Sequence, residues 1–438
     1  MKRLQGKDLL LVGLTLFSMF FGAGNLIFPP FMGALAGANG WSATFGFVIS
    51  AIGFPILGII AVARLGNLAN LVGRVGKGFS VLYIVLIYLS IGPCLAIPRT
   101  ASTSFEMAIP PFLAGDQVEL IPIFQRIYSV VFFGLALLLA MHPEKLSDRL
   151  GKILCPTLLI LIAVMFVGCL IAPPEGGYGA VQTLYQSHPI TQGFQDGYQT
   201  MDTIAALAFG IVIILTIHAR GVTDRREMVR GAVKAGAIAG ALLLVVYAAL
   251  SHVGAMSTGA YPGMENGAQV LSHMMRHFYG SVGVIILAAI FIIACFNVCV
   301  SLISSCGEYF STLIPRIPYK VWAIIFGVLS LAIANVGLNT ILEFSVPILT
   351  ILYPVAIVMI LMSFFNNWLD QRARVYPVTI AFTGVTSVLL AAAGYVEPLK
   401  EIMSMLPLFE LGLGWVLPAV IGLVIGLLLP AKQLELED

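Results

Sequence analysis

Phe20-Phe21-Gly22-Ala23-Gly24-Asn25-Leu26-Ile27-Phe28-Pro29-Pro30 occupies the middle of the first long apolar stretch of this 438-residue chain. Two glycines and an asparagine at that depth do not suit an ordinary membrane-crossing helix. Each glycine costs about 1 kcal/mol relative to alanine in a helix, and a polar amide within hydrocarbon needs a purpose. Non-helical backbone survives in a bilayer only where it lines a protein-buried cavity. A break here frees amides at the start of a half-helix, which suit a carboxylate, and carbonyls on the other side, which suit Na⁺. That is the discontinuous-helix pattern of a transporter site. Close helix packing through small residues is the alternative reading.

Composition supplies the membrane setting. Hydrophobic residues make up 59% of the chain and charged residues 10%, with a mean hydropathy of +0.99. An ordinary soluble domain carries roughly 25% charged residues, so a soluble fold of this size lacks the polar surface it needs. The same hydrophobicity excludes disorder. The 23 Lys and Arg against 21 Asp and Glu leave a net charge of +2. With no basic stripe, nucleic acid is not a partner.

A spanning helix needs about 20 mostly apolar residues. Twelve candidates fit: 8–36, 41–63, 79–105, 123–142, 150–172, 198–219, 231–255, 281–313, 321–338, 340–365, 376–396 and 409–430. Such long apolar runs exclude the short alternating strands of a β-barrel. Met1-Lys2-Arg3 with Ala34-Leu35-Ala36 imitates a cleaved signal, but the apolar stretch is too long for one, and span 1 is read as retained. With the N-terminus cytoplasmic, 19 of the 23 Lys and Arg fall inside; only Arg99, Arg126, Arg276 and Lys400 fall on or toward the outside. This asymmetry predicts cytoplasmic termini at both ends.

The six cysteines all lie within apolar spans and read as small buried hydrophobes. Gly73-Arg-Val-Gly76-Lys77-Gly78 lacks the spacing of a nucleotide-binding loop. No HExxH helix, paired intramembrane carboxylates or selectivity-filter sequence appears. Secondary transport is therefore favoured over a membrane enzyme or a channel.

Four segments resemble one family. Phe20–Pro30 looks like the hallmark of the bacterial branched-chain amino acid:cation symporters. Gly92-Pro-Cys-Leu-Ala-Ile-Pro-Arg-Thr100, the run Gly197 to Gly210 and Ser345-Val-Pro-Ile-Leu-Thr-Ile-Leu-Tyr-Pro354 are similar to the same family, in order along essentially the whole chain. The resemblance implies an all-α polytopic membrane protein of the amino acid–polyamine–organocation superfamily. Its twelve transmembrane helices would form a LeuT-like 5+5 inverted repeat plus two C-terminal helices. The first repeat would cover 1–175 and the second 190–366. Residues 374–438 would hold the last two spans and a cytoplasmic tail. A bacterial cytoplasmic (inner) membrane is the implied location. The repeat shows faintly in the residues: Ala205-Ala206-Leu207-Ala208-Phe209-Gly210 mirrors the small-residue centre of span 1 but has no strong breaker, so the unwinding of span 6 there rests mainly on the resemblance.

The resemblance also implies site residues. The amides of Ala23 and Gly24, beside Gly22 and Asn25, would take the substrate carboxylate. Ala205 and Ala206 would floor the pocket, and Phe209, followed by Gly210, would close over it. The substrates would be leucine, isoleucine and valine, because an apolar pocket separates one methylene by only about 1–3 kcal/mol. Another apolar amino acid, or H⁺ coupling, remains the alternative within transport. For the coupling Na⁺, Ser301, Ser304 and Ser305 share one helix face. The resemblance pairs them with Ser18 and Phe21 of span 1. Hydroxyls bonded to their own i−4 carbonyls are the plainer reading. Ile204 stands where two-sodium relatives carry a hydroxyl, with Thr203 adjacent, so one cation is expected; a second site would use the Asn25 oxygen. Membrane lipid surrounds the chain, and no obligate protein partner is implied.

A few charges need separate accounts. Arg99 and Asp202 lie at similar depth near the outer ends of spans 3 and 6, as an extracellular gate pair or as two unrelated interfacial charges. Glu308 is expected to pair with a cytoplasmic cation, or to serve as a proton or cation ligand. Thr340-Ile-Leu-Glu343 fits a capping box at a helix start. His218 and His252 read as solvated imidazoles. Gly236 and Gly240 are expected to pack within the bundle rather than to drive dimerisation.

Overall fold

Backbone breaks divide the helices of this protein. The structure, a computed structural model, describes residues 3–113, 115–141, 147–369 and 372–430. Lys2, Lys145 and Lys432, and the side chains of Arg149, Lys152 and Cys155, lie outside the described residues. Among the described residues there is no strand. The principal helices are α1 (Gly6–Phe20), α2 (Ala23–Ala36), α3 (Gly40–Val48), α4 (Phe54–Leu65), α5 (Lys77–Leu89), α6 (Ala96–Ala108), α7 (Ile121–Ala140) and α8 (Ser147–Ile171). They continue with α9 (Pro189–Asp196), α10 (Asp202–His218), α11 (Arg225–Ser257), α12 (Gly267–Leu313), α13 (Tyr319–Ala334), α14 (Leu338–Ser363), α15 (Val375–Ala393) and α16 (Val416–Leu428).

Among the described residues, seven helical stretches are long and apolar enough to cross a membrane. The bent pair Pro189–Thr200 and Asp202–His218 makes an eighth. Shorter apolar helices, such as Tyr319–Ala334 and Val416–Leu428, add to them. Large apolar side chains such as Leu138, Val245 and Val130 stand well exposed on this surface, as a multi-pass membrane protein requires.

Local chemistry explains the boundaries. Asp224 caps α11 by accepting from the Glu227 amide, and Asn266 caps α12 by accepting from the Gln269 amide at 3.0 Å. These side-chain oxygens satisfy amides that have no partner inside the helix. Gly280 takes φ 61° and ψ −155° inside α12. It divides α12 into two arms, and the second begins where span 8 was expected, at residue 281.

Glycine seams bring the helices close. A Cβ on Gly33 would lie 2.0 Å from the Ser251 carbonyl oxygen, and one on Gly254 would lie 1.9 Å from that of Pro30. Gly267 approaches the Ile27 carbonyl equally tightly. Together they clasp α2 between α11 and the start of α12. Gly236 and Gly240 both face Ile56, so this pair packs within the bundle, as expected.

Several expectations need correction. Span 6 does not unwind at Ala205–Gly210: α10 is continuous from Asp202 to His218. The break comes earlier, at Met201 (φ 65°, ψ 9°), where the chain bends by 46°. Span 3, read as continuous, is interrupted by a π turn at Ser90–Cys94 with Gly92 non-helical. Pro93 contributes no amide to the ladder there, and Gly92 admits the Cys306 sulfur, which would stand 2.7 Å from a Cβ. The Thr340–Glu343 capping box does not form, because α14 starts two residues earlier behind Gly337 at φ 94°. His252 is half-buried rather than solvated. It lies among Trp41, Phe166 and Tyr178, whose hydroxyl is 3.1 Å from its Nδ1. Glu308 is exposed and makes no ion pair among the described residues.

Candidate functional site

The site is built on the break in the first span. Helix α1 ends at Phe20, and the Phe21 amide still bonds to the Phe17 carbonyl at 2.8 Å. Phe21 and Gly22 then leave helical geometry, with Gly22 extended at φ −116° and ψ −170°. Helix α2 begins at Ala23. The Asn25 side chain reaches back, its Oδ1 accepting from the Gly22 amide at 3.1 Å. The amides of Ala23 and Gly24, in the first turn of α2, have no partner within that helix. They lie at its positive end.

The amide nitrogen of Asn25 turns the other way. It donates to the Asp202 carboxylate at 2.6 Å and to the Tyr247 hydroxyl at 2.5 Å. Tyr247 also donates to Asp202, at 3.3 Å. All three side chains are buried. Asp202 is the first residue of α10, placed here by the left-handed turn at Met201.

Arg99, also buried, lies against Gly24 in the same turn. Its Nη2 would sit 2.9 Å from a Cβ on Gly24. Its Nη1 donates to the Gln199 carbonyl at 2.7 Å, and the guanidinium covers the Phe28 ring at 5.3 Å. The Gln199 side-chain oxygen in turn accepts from Ser345 at 2.7 Å. The four segments that share the family pattern, distant in sequence, therefore meet around one helix start. Arg99 and Asp202 themselves form no ion pair with each other within 4.0 Å. Each is held by different partners.

Beside the break lies an apolar cluster that contains Ala23, Ile97, Ala101, Cys295 and Cys299, with Phe209 and Val298 packed against it. It draws on spans 1, 3, 6 and 8. Phe209 and Ala205 are half-buried, one turn apart on α10. Ala206 and Gly210 face α4 instead: Ala206 lies over Gly58, and a Cβ on Gly210 would meet Val62 at 2.8 Å. Ile204 is fully buried, and Thr203 donates to the Ser50 carbonyl at 3.2 Å.

The hydroxyl face of α12 begins one turn beyond Val298, whose methyl would lie 3.9 Å from a Cβ on Gly22. Ser301 and Ser304 donate to the carbonyls of Asn297 and Val300, each at 2.9 Å. Tyr319 donates to Ser304 at 3.3 Å. The Ser305 hydroxyl has no hydrogen-bond partner among the described residues, and Ser18 is half-buried on α1. Tyr247 and Gln199 were not singled out from the sequence. Tyr247 sits among aliphatic residues of span 7 and reads as an ordinary membrane aromatic; Gln199 lay inside a quoted segment but carried no spacing signal.

Comparison with known proteins places the chain in a family. The family model described as "Branched-chain amino acid transport protein" matches residues 5–433. The chain belongs to that family. It is 41% identical to the branched-chain amino acid permease BraB of Bacillus subtilis, over 98% of both chains. It is 42% identical to the branched-chain amino acid transport system 2 carrier protein of Pseudomonas aeruginosa, over 97% of this chain and 96% of that one. As a member of this family the protein is a transporter and not an enzyme. Its fold is that of Mhp1, a nucleobase-cation-symport-1 family transporter, with a TM-score of 0.60 at 13% identity over 95% of this chain and 91% of that one. MhsT, solved in complex with L-phenylalanine, gives 0.59 at 15% identity over 98% and 99%.

Proposed function

We propose that this transporter imports leucine, isoleucine and valine together with Na⁺, by alternating access. Twelve spans carry it in the bacterial cytoplasmic membrane. They form a first repeat over 1–175, an inverted second repeat over 190–366 and two further spans within 374–438, with both termini cytoplasmic. The observation that carries the reading is the break at Phe21–Gly22, whose free amides at Ala23 and Gly24 adjoin an apolar cluster drawn from spans 3, 6 and 8. The amides hold the α-carboxylate. Gly22 and Asn25 shape the turn, and Phe209 and Ala205 border the branched side chain, with Ala206 and Gly210 backing them against α4. Na⁺ takes the Ser18 and Phe21 carbonyls and the hydroxyls of Ser301, Ser304 and Ser305.

One cation is sufficient energetically. A charge crossing 100 mV releases about 2.3 kcal/mol, equivalent to a roughly fifty-fold substrate gradient. The buried Asp202 carboxylate makes proton coupling the second reading. Purified protein in liposomes decides between them. Leucine uptake should require an inward Na⁺ gradient, and valine and isoleucine should compete. Equal uptake under a pH gradient alone would replace Na⁺ by H⁺, and uptake indifferent to any gradient would remove symport.

A further inference from the structure

Two opposite charges are buried against adjacent residues of the first turn of α2, yet they do not touch. Arg99 is 4% exposed and Asp202 3%. A buried ion pair recovers its desolvation cost only through close contact and full hydrogen bonding. Here no nitrogen of Arg99 comes within 4.0 Å of the Asp202 carboxylate. Arg99 leans on Gly24 and Asp202 on Asn25, adjacent residues of the chain.

The surroundings of Arg99 show what is missing. Its Nε is buried without a hydrogen-bond partner. Its Nη2 lies against Gly24, at the end of α2 where unpaired amides already carry positive partial charge. A guanidinium placed against a helix N-terminus gathers donors of one sign, and while Nη1 and the Gly22 amide have acceptors, Nε has none. Such a gathering suits an anion, and the planar fork of arginine matches a carboxylate. The Asp202 carboxylate is acceptor-only and is held by Asn25 and Tyr247.

We propose that Arg99 and Asp202 are a split charge pair that reads the zwitterion of the amino acid. The guanidinium joins the Ala23 and Gly24 amides on the α-carboxylate, and the Asp202 carboxylate receives the α-ammonium. The ligand completes the electrostatics that the two side chains leave open between them. Selection against molecules bearing only one of the two charges follows, independently of the side-chain pocket. This inference rests on reading the break as an amino-acid site.

Equilibrium binding to the purified full-length transporter tests it, with three probes of the same branched skeleton: leucine, 3-methylbutylamine (no carboxylate) and 4-methylpentanoate (no amine). Wild-type protein should bind leucine at least about a hundredfold more tightly than either analogue. Arg99→Gln should weaken leucine by about tenfold to a hundredfold and leave 3-methylbutylamine unchanged. Asp202→Asn should weaken leucine similarly and leave 4-methylpentanoate unchanged. A structural or gating role would instead weaken leucine and the analogue together, and that result overturns the inference. So does wild-type protein that binds either analogue as well as leucine, a readout that stands even where a variant fails to fold. Arg99→Lys, which keeps the charge but loses the fork, should fall between wild type and Arg99→Gln. Failure of the wild type to bind leucine, isoleucine or valine at all would instead remove the amino-acid site itself, and the split pair with it.

Discussion

The side-chain amide of Asn25 donates to the Asp202 carboxylate at 2.6 Å, joining residues 177 positions apart. Asn25 also caps the Gly22 amide from its oxygen. One side chain thus ties the break in span 1 to the first residue of α10 and, through Tyr247, to α11.

Replacement of Asn25 by alanine removes the Gly22 cap and the shorter of the Asn25 and Tyr247 bonds to Asp202. Leaving buried polar groups unpaired costs about 1–3 kcal/mol each. Leucine uptake in Asn25→Ala should therefore fall by roughly tenfold or more at similar abundance in the membrane. Asn25→Asp should be worse, because it sets a second carboxylate beside Asp202. Uptake by Asn25→Ala at the wild-type rate would remove this side chain from the site.

The two glycines of the break should behave differently. A Cβ on Gly22 meets nothing closer than 3.8 Å, and its extended backbone accepts any residue. A Cβ on Gly24 meets Arg99 Nη2 at 2.9 Å. Gly22→Ala should keep most of its leucine affinity, whereas Gly24→Ala should lose about tenfold by displacing the guanidinium from the α2 start. Equal effects in a binding assay would argue against close Arg99 contact.

The α2–α11 seam sets a stability prediction. Overpacking a core costs typically about 1–3 kcal/mol, and Gly254→Ala drives its new methyl into the Pro30 carbonyl at 1.9 Å. A backbone obstacle cannot rotate away, so the cost should reach the upper part of that range. Thermal unfolding in detergent should show a clear drop in midpoint. Gly134→Ala, with open space around it, should hold or gain slightly, since alanine favours a helix by about 1 kcal/mol over glycine.

Among the three serines of α12, the hydroxyls of Ser301 and Ser304 are already bonded to backbone carbonyls, and that of Ser305 is not. The apparent Na⁺ affinity of leucine uptake should fall by roughly threefold to tenfold in Ser305→Ala and by less in Ser301→Ala. No change in any of Ser301→Ala, Ser304→Ala and Ser305→Ala would place the cation elsewhere.

The break at Phe21–Gly22 was legible because glycine and asparagine carry a local backbone cost that no neighbour can hide. Gly280 carried no such reading, although the apolar run taken for span 8 starts on the residue after its positive-φ turn. Met201 gave no such warning. It is a non-glycine residue at positive φ, held there by tertiary packing. The π turn at Gly92-Pro93 had its signal in plain view, but the surrounding apolar run outweighed it. The pocket placement of Ala206 and Gly210 comes from the family resemblance alone; α10 is apolar all round, and such a helix has no stripe that says which face meets which neighbour.

By itself the sequence determined the membrane setting, the family pattern and the discontinuity in the first span. Hydropathy sums residue by residue, and the cost of glycine in a helix is paid where it stands. Only the tertiary structure decided that Arg99 and Asp202 lie at one helix start without touching, and that Asn25 and Tyr247 hold the carboxylate. Whether two buried charges pair depends on distances of a few ångströms between separate helices, which the order of residues along each helix does not contain.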